Sequence, residues 1–319
     1  MINISDSIEA CANHYGDQAD AMRAYLLEGQ ERSLALPNRG PLVFTNTGEL
    51  AENIRTAYSE FGFYILEGVL GEEELDDIKA DLEHMRSQFP TGPESQVTEM
   101  GEPALGADAK ALTLVWSKPL GDPLGGTALA NGRHQVKMFE PKASDEAPPA
   151  APFILLGSLQ FSEACLRTYA HPQLLSVAAS INGPDFAPFN EALFIKDPGI
   201  GAAVSWHQDG VTHWDSADFE EDIHGFNFMA QVYGSTAVNG VWVLPGTHKL
   251  GKLNINELVA ESGSERLKGA VPIICNPGDV VICNRQLLHG SFPNCGFEPR
   301  VTVNFGFHKR SSVLGVMGG

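Results

Sequence analysis

The second half of the chain carries the pattern that most constrains the fold, a series of short apolar runs separated by turn-forming residues. Seven runs follow one another, at 192–195, 204–207, 225–233, 241–244, 271–275, 280–283 and 300–308. Several short strands with turns between them are typical of a β-sandwich or a β-barrel. The sequence therefore predicts a mainly β fold from about residue 191 onward.

The last of these runs has one apolar side and one polar side. Its odd-numbered positions are Val or Phe, whereas its even-numbered positions, from Arg300 to His308, are polar residues or Gly. The polar side of such a strand commonly faces water. The alternative is that helices cover the apolar side and the polar side lines a pocket. The helical first half of the chain, which needs a surface to pack on, favours the pocket.

The first half reads as helices and loops. Apolar spacing predicts a short buried strand at 63–66 and helices at 19–31, 49–58, 71–89, 162–169 and 172–181. Residues 90–132, rich in Gly and Pro, are predicted to form a long loop region with one strand at 112–116, and residues 143–152 a second loop. We expect residues 1–47 to form an N-terminal extension and residues 48–319 a single domain.

Composition restricts the classes of partner. The chain has 40 acidic against 21 basic residues, a net charge of −19, which argues against nucleic acid and against an anionic membrane surface. No apolar run approaches the roughly 20 residues that span a bilayer. The five cysteines are widely spaced and form no C-x-x-C pair, which predicts reduced thiols and a cytoplasmic protein. The oligomeric state is not predicted.

A candidate metal site begins at the sequence Trp-His-Gln-Asp-Gly at 206–210. If His207 and Asp209 lie in a strand, they project from the same face and can bind one ion. Such a pair is common by chance, and it needs a third ligand. The best candidate is His289, which follows a predicted Pro-Gly-Asp turn and strand at 277–284. Two histidines and one carboxylate form the facial triad of non-haem Fe(II) enzymes.

An arginine follows the second histidine. Arg300 suits a cosubstrate with a distal carboxylate, because a guanidinium can pair with a carboxylate through two parallel hydrogen bonds. 2-Oxoglutarate is such a molecule, and its other end is a keto acid that can chelate iron. The residues therefore predict an iron site with a 2-oxoglutarate anchor.

The chain resembles the phytanoyl-CoA dioxygenase family of Fe(II)/2-oxoglutarate oxygenases. Four stretches carry the resemblance and together cover about residues 50–308: FGFYILEGVL at 61–70, WHQDG at 206–210, NGVWVLPGTH at 239–248, and the segment 277–300 with its histidine, serine and arginine. The resemblance implies a double-stranded β-helix, a cupin-like jelly roll, with helices packed on one sheet.

The resemblance also implies roles for individual residues. It gives His207, Asp209 and His289 as the iron ligands, and Arg300 and Ser291 as contacts of 2-oxoglutarate. Gln231 is a further candidate contact, although residues 211–225 make that alignment loose. The implied reaction consumes O2, releases succinate and CO2, and hydroxylates a C–H bond of a small-molecule substrate.

Alternatives to this function differ in chemistry. A related halogenase would have chloride in place of Asp209, so it ranks below the oxygenase. A metal-binding jelly roll without oxygen chemistry would have no use for Arg300. The excess of acidic residues favours a small substrate without coenzyme A, because the phosphates of coenzyme A need cationic partners. Desaturation, epimerisation and cyclisation remain open beside hydroxylation.

Other histidines accompany these motifs. His248 lies in a turn, where a structural hydrogen bond is the better interpretation than metal binding. His213 and His224 belong to the segment 211–225, which is either a lid over the site or a surface loop.

Overall fold

The computed structural model describes residues 4–209 and 225–312. The helices of this part of the chain are α1 (Ile4–Asn13), α2 (Ala19–Leu34), α3 (Glu52–Phe61), α4 (Glu72–Ser87), α5 (Glu163–Tyr169), α6 (Pro172–Asn182) and α7 (Ile255–Ser262). The strands are β1 (Arg39–Pro41), β2 (Phe63–Glu67), β3 (Leu114–Ser117), β4 (Ala151–Leu156), β5 (Phe186–Lys196), β6 (Val204–His207), β7 (Gly225–Gln231), β8 (Trp242–Val243), β9 (Val271–Pro272), β10 (Val280–Asn284), β11 (His289–Ser291) and β12 (Arg300–Lys309). No helix in the described ranges is long and apolar enough to cross a membrane.

Two β-sheets form the centre of the molecule. The large sheet has eight strands in the order β1-β2-β10-β7-β12-β5-β4-β3, and the small sheet has four in the order β6-β11-β8-β9. Among the described strands, all pairs are antiparallel except β1 with β2. Apolar residues of both sheets, such as Ile65, Met229 and Val243, form one buried cluster. This two-sheet architecture is the predicted cupin-like jelly roll.

The alternation of β12 sorts its side chains between two environments, as predicted. Val301, Val303 and Phe305 belong to the largest apolar cluster, which includes residues of α3, α4, α5 and α6. Arg300 and Thr302, on the other side of the strand, line a cavity. The helices therefore cover the outer face of the large sheet, and the polar face of β12 lines the pocket.

Several elements differ from the predicted ones. Strand β5 begins at Phe186 rather than at residue 192, because β12 pairs with it along its whole length. Strand β4 begins inside the predicted loop 143–152, because β3 pairs with it from Ala151 onward and β5 pairs with its last three residues. Helices α1 and α7 were not predicted. Both are short and obtain their stability from packing on the body of the molecule, which local spacing does not report.

The N-terminal residues pack on the outer face of the small sheet. Met22 and Leu26 of α2 share an apolar cluster with Trp206 and Trp242 of the sheet. The α2 helix is also held by hydrogen bonds, since the Ser33 hydroxyl donates to the Pro272 carbonyl at 2.6 Å. The molecule thus has helices outside each of its two sheets.

The closest approach between α2 and the small sheet occurs at Gly29. A Cβ atom at this position would lie 2.3 Å from the ring of Trp242, which is fully buried and stacked on Tyr25 with ring centroids 4.5 Å apart. A side chain here would therefore force the helix away from the sheet. Gly29 is required by packing, since no positive φ angle requires it.

We expect Gly29→Val to lower the free energy of unfolding by about 1–3 kcal/mol, the usual cost of overpacking a filled core. Urea denaturation followed by circular dichroism measures the change. Ala24→Val, at an exposed position of the same helix, is the matched control and should have a much smaller effect. Equal losses in the two variants would contradict the close approach of α2 to Trp242.

Candidate metal centre

The pairing of β6 with β11 brings the two predicted histidines together. His207, the last residue of β6, is directly opposite His289, the first residue of β11. Their ring centroids are 4.1 Å apart. Two residues that are distant in the sequence thus become neighbours through one antiparallel ladder of the small sheet.

Asp209 reaches the same point by a different route from the one predicted. Strand β6 ends at His207, so Asp209 is beyond the strand rather than on its face. The backbone N–H of Asp209 donates to the Arg285 carbonyl at 2.8 Å, which fixes the chain after the strand. One ligand atom from each of His207, Asp209 and His289 lies within 4.8 Å of the other two. The three side chains could therefore bind one ion.

Hydrogen bonds fix the orientation of both imidazole rings. The Nδ1 atoms of His207 and His289 are 2.8 Å and 2.9 Å from the carbonyl oxygens of Ser205 and Leu287. Because a carbonyl only accepts, each Nδ1 carries the proton and each Nε2 is left with its lone pair. The Nε2 atoms face the carboxylate, at 3.5 Å from Oδ1 of Asp209 for His207 and 3.8 Å from Oδ2 for His289. Burial lowers the pKa of His289 to about 4, so this ring is neutral at pH 7.

Asp209 is buried and ionised. Burial acts to raise the pKa of its carboxyl group, but the charges of Arg133 and Arg285 oppose burial, and the pKa is held well below its usual range. Arg133 Nη1 lies 3.0 Å from Oδ1, and the amide of Asn227 donates to Oδ2 at 3.3 Å. This donor set of two imidazoles and one carboxylate fits a divalent transition metal such as Fe(II).

Arg300 lines the same cavity from the first position of β12. Its Nε donates to the Thr302 hydroxyl at 3.0 Å and its Nη1 to the Asn239 carbonyl at 3.1 Å. The side chain is buried, and burial lowers its pKa to about 10, so it stays charged at pH 7. Within the described ranges no carboxylate forms an ion pair with Arg300. A buried guanidinium without a counter-ion suits an anionic ligand.

Ser291 lines the cavity near Arg300, whereas Gln231 does not. The Ser291 hydroxyl accepts from Nζ of Lys196 at 2.9 Å, which leaves its hydrogen available for another acceptor. Gln231, at the end of β7, accepts from the Thr302 hydroxyl at 3.1 Å. Ser291 therefore lies at the cavity wall, whereas Gln231 lies behind it. Gln231 is connected to Arg300 through Thr302, by two successive hydrogen bonds.

Lys196 was missed by the sequence analysis. It is the last residue of an apolar strand, it is 1% exposed, and it is paired with Arg300 across β5 and β12. Its ammonium group donates to the Phe292 carbonyl as well as to Ser291. Burial, and then the charge of Arg300, lower the pKa of Lys196 well below its usual value. The only signal in the sequence was a lysine at the end of an otherwise apolar run.

Arg133 and His134 were missed as well, because they follow a long segment predicted to be loop. His134 is buried with its ring centroid 4.2 Å from that of His207, and its Nδ1 lies 3.1 Å from the Ser205 hydroxyl. Burial lowers the pKa of His134 to about 2. Together with Leu124, these residues make the loop one wall of the cavity.

Two further histidines, His248 and His308, lie outside the cluster of candidate metal ligands. Nε2 of His248 lies 3.0 Å from the Ser59 carbonyl, which agrees with the predicted structural hydrogen bond. His308 is buried beside the ring of Phe189, with ring centroids 4.3 Å apart. His213, His224 and most of the candidate lid at 211–225 lie outside the described residues.

The cavity has a volume of about 130 Å³. Besides the residues above, its wall contains the polar side chains Asn190, Asn227 and Asn304 and the apolar side chains Ile154, Phe194 and Met229. Asp209 is the only carboxylate among the described residues that line it. The three candidate metal ligands and a buried cation thus line the same cavity.

The family model for phytanoyl-CoA dioxygenase (PhyH) matches residues 58–302, which include all three candidate metal ligands and Arg300. The chain belongs to the phytanoyl-CoA dioxygenase family. No curated protein matches the chain.

Solved structures share the fold at low sequence identity. EctD from S. alaskensis, solved with 2-oxoglutarate and 5-hydroxyectoine, is 18% identical with a TM-score of 0.56, and the match covers 86% of this chain and 82% of EctD. The non-heme α-ketoglutarate-dependent carbocyclase SnoK from nogalamycin biosynthesis is 12% identical with a TM-score of 0.52, covering 84% of this chain and 87% of SnoK. EvdMO1 is 20% identical with a TM-score of 0.50, covering 78% of this chain but only 48% of EvdMO1.

We expect His207→Ala, Asp209→Ala and His289→Ala each to weaken divalent metal binding by more than roughly 100-fold, since even outer-shell partners of a metal contribute 10–100-fold. Titration with Co(II), followed by its visible absorption, measures the affinity, and circular dichroism checks the fold. His84→Ala, at an exposed position of α4, is the histidine control. If one of these variants binds Co(II) as tightly as the unchanged protein does, the residue that it replaces is not a metal ligand.

Proposed function

We propose that this protein is an Fe(II)- and 2-oxoglutarate-dependent dioxygenase that hydroxylates a C–H bond of a small molecule. The observation that carries the proposal is the presence, in one cavity, of a His-Asp-His cluster and a buried arginine with no carboxylate partner in the described ranges. Family membership and the bound 2-oxoglutarate of EctD support it. His207, Asp209 and His289 would hold the iron.

The proposed 2-oxoglutarate anchor consists of Arg300 and Ser291. Arg300 uses Nε and Nη1 for Thr302 and Asn239, so its Nη2 group is available for the distal carboxylate. Lys196 fixes the Ser291 oxygen as an acceptor and leaves the hydroxyl hydrogen to donate to the same carboxylate. Gln231 would act indirectly, by orienting Thr302 and through it Arg300.

Iron and 2-oxoglutarate, when bound, would supply the oxidation, in which O2 is consumed, one oxygen atom enters the substrate and the other enters succinate, with release of CO2. The chain's own residues bind and orient the reactants and exclude water. Arg133 and Asn227 keep the Asp209 carboxylate ionised and oriented. Leu124, Arg133 and His134 close one side of the cavity.

We propose residues 48–319 as the single oxygenase domain, within which the family match at 58–302 lies. We also propose a cytoplasmic location, because all five cysteines are buried and free. A halogenase remains the less favoured alternative, because Asp209 provides the carboxylate that a halogenase lacks.

The first test is oxygen consumption with Fe(II) and 2-oxoglutarate, which should be measurable together with succinate release. Absence of both, in protein that binds Fe(II) and 2-oxoglutarate, would favour a metal-binding jelly roll without oxygen chemistry.

We expect Arg300→Ala to weaken 2-oxoglutarate binding by roughly 2–5 kcal/mol, about 30-fold or more, because the distal carboxylate loses a charge-assisted pair. Arg300→Lys should recover part of this loss, since an ammonium group cannot reproduce the planar guanidinium. Calorimetric titration of the Co(II)-loaded protein with 2-oxoglutarate measures the affinity. Arg310→Ala, at an exposed arginine, is the control. An unchanged affinity in Arg300→Ala would remove this residue from the cosubstrate site.

A further inference from the structure

Three asparagines line the same cavity as the candidate metal ligands. Asn190 lies on β5, Asn227 on β7 and Asn304 on β12, and β12 pairs with both of the other strands. The carboxamides therefore occupy neighbouring strands of the large sheet. The proposed function does not use the oxygen atoms of Asn190 and Asn227.

The orientation of the Asn227 amide follows from its contact with Asp209. The Nδ2 group donates to Oδ2 of Asp209 at 3.3 Å, and an ionised carboxylate only accepts hydrogen bonds. The amide nitrogen must therefore face Asp209, and the Oδ1 atom must face away from it. This residue is 7% exposed, and its Oδ1 is buried without a hydrogen-bond partner among the described residues.

A second buried oxygen lies near the first. Oδ1 of Asn190 is also buried without a partner in the described part of the chain. Both oxygens flank Gly306, where an added Cβ atom would be 2.5 Å from Oδ1 of Asn227 and 2.9 Å from Oδ1 of Asn190. Gly306 has no positive φ angle, so the backbone does not require glycine there. Without a side chain at Gly306, the two carboxamide oxygens can converge directly over the backbone of β12.

The oxygen of Asn227 requires a hydrogen-bond donor, because leaving a buried acceptor unpaired is unfavourable. 2-Oxoglutarate cannot supply one at neutral pH, since its two carboxylates and its keto group only accept. The neighbouring Asp209 carboxylate cannot supply one either. Because no donor lies within reach among residues 4–209 and 225–312, water or another molecule in the cavity can supply it.

We propose that the substrate presents an O–H or N–H group to Asn227 and Asn190, beside the metal ligand Asp209. The substrate class is a polar molecule with a hydroxyl, amine or amide N–H close to the carbon that is oxidised. Ile154, Phe194 and Met229, which line the same cavity, would contact its carbon skeleton. An acyl chain without donors does not fit this point. The inference rests on the proposed function, since it names the substrate of that site.

The test uses probe pairs that differ only in the donor, added to the protein loaded with Co(II) and 2-oxoglutarate. The pairs are 2-pyrrolidinone with N-methyl-2-pyrrolidinone, cyclohexanol with methoxycyclohexane, and cyclohexylammonium with cyclohexyltrimethylammonium. Paramagnetic relaxation of the probe protons by Co(II), compared with the Zn(II) protein, measures binding close to the metal. We expect the donor member of at least one pair to bind tenfold or more tightly than its methylated partner.

Variants assign the preference to the carboxamides. Asn190→Leu and Gly306→Ala should each reduce the ratio of affinities within a pair to less than twofold, the first by removing an acceptor and the second by filling the point of convergence. Asn227→Leu should do the same, but it also removes a contact of Asp209, so the other two variants decide. Asn256→Leu, at an exposed position of α7, is the matched control and should keep the full ratio. The Co(II) spectrum of each variant verifies the metal site.

Three outcomes would overturn the proposal. They are equal binding of both members of every pair, no binding of any donor member, and a ratio that survives in both Asn190→Leu and Gly306→Ala. The last outcome would mean that the two oxygens hold only a water molecule. The proposed function is tested separately, by 2-oxoglutarate-dependent oxygen consumption without any probe. If the protein shows no such activity but keeps the tenfold preference for donor probes, the oxygenase is refuted and the donor site is retained.

Discussion

The antiparallel pairing of β6 with β11 is the constraint on which the candidate site depends. It places His207 opposite His289, and the bond from the Asp209 N–H to the Arg285 carbonyl then turns the carboxylate toward both rings. The backbone carbonyls that orient the rings lie two residues before each histidine, at Ser205 and Leu287. Ligand position and ligand tautomer are thus set by the same short segments of backbone.

Charge is divided unevenly along the cavity. One carboxylate, that of Asp209, is already matched by Arg133, whereas Arg300 and the neighbouring Lys196 have no carboxylate partner in the described ranges. These groups therefore give the interior a local positive charge, to which a divalent metal at one end and a dianion at the other would add no net charge. This balance explains how a strongly acidic chain, with a net charge of −19, can still contain a binding site for an anion.

The sequence predicted those parts of the fold and site that local patterns determine. The alternation in 300–308 correctly separated the core side of β12 from its cavity side, and the His-x-Asp motif marked the start of the site. Residues whose environment depends on distant strands were missed. Lys196 ends an apolar run, and only the fold brings its amino group to Ser291 of β11. Arg133 contacts Asp209 from a loop that has no sequence periodicity. The overlap of β4 with the predicted loop 143–152 has the same origin, since both edges of that strand are paired with segments far along the chain.

The packing of α2 on the small sheet bears on where the chain can be shortened. Trp242 of β8 stacks its ring on Tyr25 of the helix, and its backbone pairs with Gly290 of β11, the residue after His289. Ser7 of α1 likewise bonds to the backbone of Phe297, in the loop that leads into Arg300. Deletion of the first 47 residues would therefore expose the aromatic side chains on the outer face of the small sheet, the sheet that carries the candidate histidine ligands. A practical boundary for expression lies before α1, even though the family match begins only at residue 58.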